Sequence, residues 1–231
     1  MVDAPEPHQL AGQRDVPDWV APLADAVDDV EASQLSRFLP PPDGSARPAA
    51  VLMLFGEQAD GPDVLLIERA HDMRSHPSHV AFPGGAHDVG DAGPVATALR
   101  EAEEETGLDP AGVSVIGQLP ELYLPPSNFA VTPVLAWWRN PSEVSVVDPA
   151  EVASVHRVPL AELLDPSHRY SVRHPSGFVG PAFVVREKLV WGFTGGLLSK
   201  LFAHVGWETP WDVERYTELP DHMVDEAWRR R

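Results

Sequence analysis

Between Gly84 and Leu108 the chain reads GGAHDVGDAGPVATALREAEEETGL, a helix-forming run that closes on Glu101, Glu103, Glu104 and Glu105. Pro94 suits a first helical position and Gly107 the left-handed residue that ends a helix, so the spacing predicts a helix over residues 94–106. At about 100° per residue, Val95, Ala98, Leu99, Ala102 and Thr106 share one arc, while Glu101, Glu104 and Glu105 share roughly the opposite one. The carboxylates then crowd the last turns. There the helix dipole is negative and neighbours at i, i+3 and i+4 repel, each effect costing about 0.2–1 kcal/mol. A divalent cation turns that repulsion into binding energy, and ligands that are all oxygen suit a hard ion such as Mg2+ or Mn2+, completed by water or substrate phosphate. Taken alone, the pattern is equally that of a solvated acidic face. What precedes it decides between the two: Phe82-Pro83-Gly84-Gly85 and a loop to Asp91 let backbone approach a ligand with no side chain in the way.

Gly85, five residues, Asp91, eight residues, and then Arg100-Glu101-Ala102-Glu103-Glu104-Glu105-Thr106-Gly107-Leu108 resemble the signature of the Nudix hydrolases, Gly-x5-Glu-x7-Arg-Glu-U-x-Glu-Glu-x-Gly-U, with U bulky and apolar. The second half matches almost letter for letter, with small Ala102 in an apolar slot. In the first half Asp91 stands in place of Glu, and the spacer after it is one residue longer. An upstream segment, Leu65-Leu66-Ile67-Glu68-Arg69 through His76-Pro77-Ser78-His79-Val80-Ala81-Phe82-Pro83-Gly84-Gly85, resembles the additional motif of the coenzyme A diphosphatase-like subgroup. Members of that subgroup commonly carry Gly-Gln where this chain has Ser78-His79. Residues 126–133, 148–152 and 190–194 agree as well, so the resemblance spans roughly residues 47–202.

The resemblance implies a Nudix-type α/β/α sandwich with a mixed sheet and a carboxylate-bearing helix. It implies metal-dependent hydrolysis of a diphosphate linkage, in coenzyme A or acyl-coenzyme A, to adenosine 3′,5′-bisphosphate and a 4′-phosphopantetheine product. Another nucleoside diphosphate derivative (ADP-ribose, a dinucleotide or a nucleoside triphosphate) is the alternative substrate, with Ser78-His79 keeping it open. A catalytically silent domain that senses a ligand is the third reading, and the intact run from Arg100 to Glu105 argues against it. Glu101 and Glu105 are the firmest metal ligands that the family pattern suggests, with Glu104 sharing the ions or the water and Gly85 offering its carbonyl. Arg100 orients a carboxylate through a charge-assisted pair. Glu151 is the candidate general base. Ser127 and Asn128 are placed to donate to a phosphate, and Arg69 and Arg74 to hold the 3′-phosphate or the diphosphate. Asp91 receives no role. Each has an ordinary counterpart as well: a turn for Ser127 and Asn128, a strand-edge acid for Glu151, a structural salt bridge for the arginines.

Composition narrows the field independently. A chain of 231 residues, 43% hydrophobic, suffices for one domain with extensions. The expected division is an N-terminal extension over 1–45 with a weak helix and a proline-rich linker, the catalytic domain over 46–204, and a tail over 205–231. A net charge of -18, from 17 basic and 35 acidic residues, argues against nucleic acid as partner. It also demands that an anionic small-molecule substrate be met by metal ions and a local basic patch. No run approaches the roughly 20 apolar residues of a membrane helix. The start, MVDAPEPHQ, is unlike a signal peptide, and the chain has no cysteine, which agrees with a reducing compartment; the cytoplasm is the expected location. His71, His76, His79 and His87 lie in or beside loops without His-Glu-x-x-His spacing, so they read as surface or core-edge histidines, His79 alone meriting mutation. Gly-x-Gly-x-x-Gly, Walker and Gly-x-Ser-x-Gly motifs are absent, against oxidoreductase, kinase-like and esterase readings.

The remaining periodicities outline an α/β sandwich. Trp19, Leu23, Ala26, Val27 and Val30 form a helical stripe, and 39–48 reads as a linker. Residues 50–55 and 64–68 predict a hairpin about a polar connection over 56–62, followed by strands over 113–118, 131–138 and 152–158. A short helix is expected over 159–164, a hairpin over 182–191 about Arg186-Glu187-Lys188, and a closing helix over 192–204. Trp207, Trp211 and Trp228 of the tail are expected to pack on the body or on a second subunit, and a homodimer is the expected assembly.

Overall fold

A computed structural model describes residues 16–70, 78–220 and 223–224. In chain order, α1 (Ala21–Asp29) and α2 (Ala32–Leu35) lead into β1 (Arg47–Gln58), β2 (Gly61–Arg69), β3 (Val80–Ala81) and β4 (Gly84–Ala86). Helix α3 (Pro94–Thr106) precedes β5 (Val113–Gln118), β6 (Leu122–Leu124), β7 (Phe129–Trp138) and β8 (Val152–Pro159). After α4 (Leu160–Leu164) come β9 (Arg169–Arg173), β10 (Val179–Val185), β11 (Lys188–Val190), α5 (Gly192–His204) and β12 (Tyr216–Glu218).

The first sheet runs β3-β2-β1-β7-β5, with β4 on β1, β6 on β7 and β8 on β2. It is mixed, because β1 pairs parallel with β7 and antiparallel with β2 and β4. Alternation along its strands builds two cores. Ala50, Leu52, Leu54, Val134, Ala136 and Trp138 meet Ala98, Leu99 and Ala102 of α3. Met53, Phe55, Leu135 and Trp137 turn the other way, toward Leu23 and Ala26 of α1, Leu163 of α4 and Leu197, Leu201 and Phe202 of α5. Helices therefore cover both faces, which is the expected α/β/α sandwich.

Helix α3 has the expected bounds, with Pro94 in its first turn and Gly107 left-handed at φ 69°. The first hairpin is also present, but its strands reach inward through the predicted polar connection, Gly56 pairing with Asp63 and Gln58 with Gly61. A side chain at Gly56 would stand 2.9 Å from the Asp63 carboxylate; the ladder continues because glycine leaves room for that buried acid. A second sheet, β11-β10-β9-β12, contains the predicted 182–191 hairpin and two strands that periodicity did not suggest, β9 and β12. Strand β12 is three residues of tail laid parallel to β9, too short to carry an alternation signal. Trp207 packs on the body, its ring centroid 5.9 Å from that of Phe202 and 6.2 Å from that of Trp19. Trp228, Arg74, His71 and His76 lie outside the described residues. Among the described residues no helix is long and apolar enough to cross a membrane.

Candidate active site

Two glycines bring backbone against helix α3. Strand β4 places Gly85 opposite Ala50 of β1, and Gly84 sits at φ 155°, pressed so closely on Ala50 and Val51 that a β-carbon would overlap them. A β-carbon on Gly85 would fall 2.5 Å from the carboxyl carbon of Glu101. Only glycine permits this approach. It leaves the peptide of Gly85 beside one carboxylate, while the Gly84 N–H donates to Oε2 of another, Glu105, at 2.9 Å.

The glutamates do not share one environment on the single carboxylate face that helical periodicity outlined. Glu105 is only 5% exposed, whereas the side chains of Glu101 and Glu104 are 17% and 59% exposed. An arc of a helix is defined against its own axis, and the β4 glycine turn folds over the Glu105 side of it. Burial is the main reason that the Glu105 carboxyl is pushed up to about 8; nearby Glu101 and Glu151 push the same way, against the Gly84 N–H and Arg69. Glu101 is raised too, by burial first, with Glu104 and Glu151 adding to it and Arg100 opposing. Two adjoining carboxylates therefore resist ionisation, chiefly because burial removes water from them and also because neighbouring carboxylates repel.

These influences locate other residues named from sequence. Glu151 is exposed and acts on both Glu101 and Glu105; its carbonyl accepts from the Ala70 N–H at 2.8 Å, which ties its loop to the end of β2. Arg69, the last residue of β2, acts on Glu105, and its buried Nε has no hydrogen-bond partner. The structure thus gathers Gly84, Gly85, Glu101, Glu105, Arg69 and Glu151 around one end of the first sheet. Ser127 and Asn128 lie in the turn before β7. The Asn128 amide is occupied there, its oxygen accepting from Tyr123 Oη at 2.9 Å and its nitrogen donating to the Ser45 carbonyl at 3.1 Å. The Ser127 hydroxyl is buried without a partner.

Arg100 holds the rim together. Its Nε and Nη2 donate to the two oxygens of Asp91, each at 3.0 Å, its Nη1 reaches Glu101 at 3.0 Å and Glu104 at 2.9 Å, and Nη2 also meets the Ala86 carbonyl at 3.1 Å. Asp91 is the residue that sequence reasoning passed over. Its side chain is 6% exposed, accepts from Thr97 Oγ1 at 2.8 Å, and is held well below the usual carboxylate range, chiefly by Arg100. The available signal was its place at the acidic position of the motif: the side chain is one methylene shorter, the spacer is longer, and the carboxylate still meets Arg100 bidentately. His87 is a partner of the same network, with Nδ1 3.0 Å from Thr97 Oγ1. His79 lies at the core edge, its Nε2 3.1 Å from the Met223 carbonyl and its ring 5.0 Å from that of Trp191. Ser78, where the subgroup carries Gly, is buried and left-handed at φ 61°.

Among the described residues no three acidic or histidine side chains already form a finished metal cage. What the site offers is a set of hard oxygen donors, the Glu101 and Glu105 carboxylates beside the Gly85 backbone, short of positive charge and packed against glycines that admit no side chain. That set fits a divalent hard cation.

Residues 45–175 match the NUDIX domain family. The chain is 38% identical over 175 residues to an uncharacterized Nudix hydrolase, NudL, of Enterobacter sp. (strain 638), and the match covers 69% of this chain and 83% of that protein. To NudL of Escherichia coli (strain K12) it is 36% identical over 164 residues, with the same two coverages. The crystal structure of RenU, a Nudix hydrolase from M. smegmatis, is similar in fold, with a TM-score of 0.50 at 19% identity over 72% of this chain and 90% of that one.

Proposed function

This chain belongs to the Nudix hydrolases, and on that premise we propose that it cleaves the diphosphate linkage of coenzyme A or an acyl-coenzyme A. Family membership establishes the coarser activity, divalent-metal-dependent hydrolysis of a nucleoside diphosphate derivative. The observation that carries the reading is the undercompensated Glu101–Glu105 pair beside Gly84 and Gly85. Support for the coenzyme A substrate comes from the upstream motif that ends β2 in Arg69, close enough to Glu105 to act on its ionisation.

In this reading Glu101, Glu105 and the Gly85 carbonyl hold Mg2+ or Mn2+, with Glu104 at the rim. When bound, such an ion neutralises charge on the diphosphate and acidifies a water. Glu151 accepts the proton of the attacking water, whose oxygen forms a new bond to phosphorus as the bridging P–O bond breaks. Arg69 faces the diphosphate oxygens, Ser127 donates its unpaired hydroxyl, and Arg100, anchored on Asp91, keeps Glu101 and Glu104 in place. The products are adenosine 3′,5′-bisphosphate and 4′-phosphopantetheine or its acyl form. The Ser78-His79 departure from the subgroup keeps a different nucleoside diphosphate derivative as the alternative substrate, although the His79 side chain itself is committed to Met223 and Trp191.

Mass spectrometry of the products after incubation with coenzyme A and Mg2+ or Mn2+, beside ADP-ribose, tests the reading. Release of 4′-phosphopantetheine is expected. Intact coenzyme A beside cleaved ADP-ribose would transfer the assignment to the second substrate class, and no turnover of either would overturn both.

A further inference from the structure

With 35 acidic against 17 basic residues, this protein must supply cations locally to any anionic substrate. Arg100 is occupied by Asp91, Glu101 and Glu104. Among the described residues the arginines that meet carboxylates are Arg100, Arg157, Arg169 and Arg186, and Arg47 is not one of them. Arg47 is exposed, and its guanidinium carbon lies over an aromatic ring instead, 4.1 Å from the centroid of Phe129, while its Nη2 donates to the Ser127 carbonyl at 3.2 Å.

The position of this stack matters. Arg47 and Phe129 are register partners at the starts of β1 and β7. Arg47 is three residues before Ala50, the partner of Gly85, a span of about 10 Å along a strand. By alternation the stack belongs to the sheet face opposite α3, the face of Met53, Phe55, Leu135 and Trp137. A substrate whose diphosphate sits at Gly85 can therefore bend around the end of the sheet and set its nucleoside on this pair. In the same turn lies the buried Ser127 hydroxyl, which has no partner.

We propose that Arg47 stacked on Phe129, with the Ser127 hydroxyl, forms the subsite for the nucleoside end of the substrate: a purine ring together with its ribose phosphate. A guanidinium resting on one ring can take a second ring on its free face, and its edge N–H groups donate charge-assisted hydrogen bonds to phosphate oxygens. The inference deepens the diphosphatase reading above and rests on it. The ordinary alternative is that Arg47 only pins the turn before β7, and the two differ in what the protein binds.

Calorimetric titration of the full chain with Mg2+, using adenosine 3′,5′-bisphosphate and 4′-phosphopantetheine as separate ligands, distinguishes them. Arg47→Ala is expected to weaken the bisphosphate at least about tenfold, equivalent to about 1.4 kcal/mol, and to leave phosphopantetheine binding unmoved. Arg47→Lys, which keeps the charge without the flat surface, should fall between. Equal bisphosphate affinity in wild type and Arg47→Ala overturns the subsite, as does a loss shared equally by both ligands. Should the wild type bind no bisphosphate, the coenzyme A reading fails and the pair is titrated with adenosine 5′-monophosphate. Weakening by Arg47→Ala there upholds the subsite; unchanged affinity, or no adenine nucleotide bound at all, overturns it.

Discussion

Among the charges buried in the described residues, Glu105 at the end of α3 and Arg169 at the start of β9 differ in their partners. Arg169 of β9 is 1% exposed. Its Nη2 donates to Ser199 Oγ at 2.7 Å and to Glu208 at 3.1 Å, and its guanidinium lies 4.4 Å from the Phe183 ring and 4.6 Å from that of Trp211. Trp211 in turn donates to the same Glu208 oxygen. One positive charge thus meets one carboxylate, two ring faces and a hydroxyl, and the knot ties the tail to α5 and the second sheet. At α3 the proportions are reversed. Asp91, Glu101 and Glu104 share the single guanidinium of Arg100, and Glu105, deepest of the four, has only a backbone N–H and the distant pull of Arg69. A compensated buried charge holds architecture together; an undercompensated one stores an affinity for a cation.

The sharpest way to break the contrast is Glu105→Gln. A neutral amide cannot hold the ion, so turnover should fall by at least about a thousandfold while thermal unfolding still reports a folded protein; near-normal activity would end the metal assignment. Arg169→Ala should do the opposite, lowering stability in urea by about 3 kcal/mol while the folded protein keeps its Mn2+ affinity. A loss of metal binding there would mean that the two regions are one cooperative unit. Asp91→Ala lies between them: removing the anchor of Arg100 should reduce kcat/KM by about 10–100-fold, and an unaffected rate would reduce Asp91 to a loop contact.

Acidity separates the regions as well. In the metal-free fold Glu105 keeps its proton up to about pH 8, while in the unfolded chain it ionises near its ordinary value of 4.5. The native state therefore holds more protons across that interval, so stability should decline as pH rises from about 4.5 to about 8 and level off above it. Urea titrations of wild type and Glu105→Gln check this, since the variant should lose that part of the slope; parallel curves would show that Glu105 is not the group responsible. The smallest effect belongs to Ser78→Gly. A serine held at φ 61° carries strain of about 1 kcal/mol that glycine lacks, so a small rise in Tm is expected, and a fall would show that the serine side chain contributes more than its backbone costs.

How far each residue was legible depended on where its partners lie in the chain. Pro94 and Gly107 mark the ends of α3 because their backbone preferences act on immediate neighbours. The Arg186-Glu187 turn between β10 and β11 and the helical stripe of α1 were readable for the same reason. Strand β12 was not, because three residues of tail become a strand only when β9 offers them an edge. Asn128 was legible as a turn residue, but its service to Ser45 and Tyr123 depends on how the chain before β1 returns to the turn before β7.

By itself, then, the sequence determined the carboxylate-rich helix, the glycines before it and the α/β layering, all of which follow from local dihedral preference and the periodicity of apolar side chains. Only the tertiary structure decided that Glu105 is buried beneath Gly84, 21 residues away, that Asp91 anchors Arg100, and that Arg47 lies on Phe129. Burial and charge compensation are set by which surfaces meet, and a helical arc does not record which of its sides a distant strand will cover.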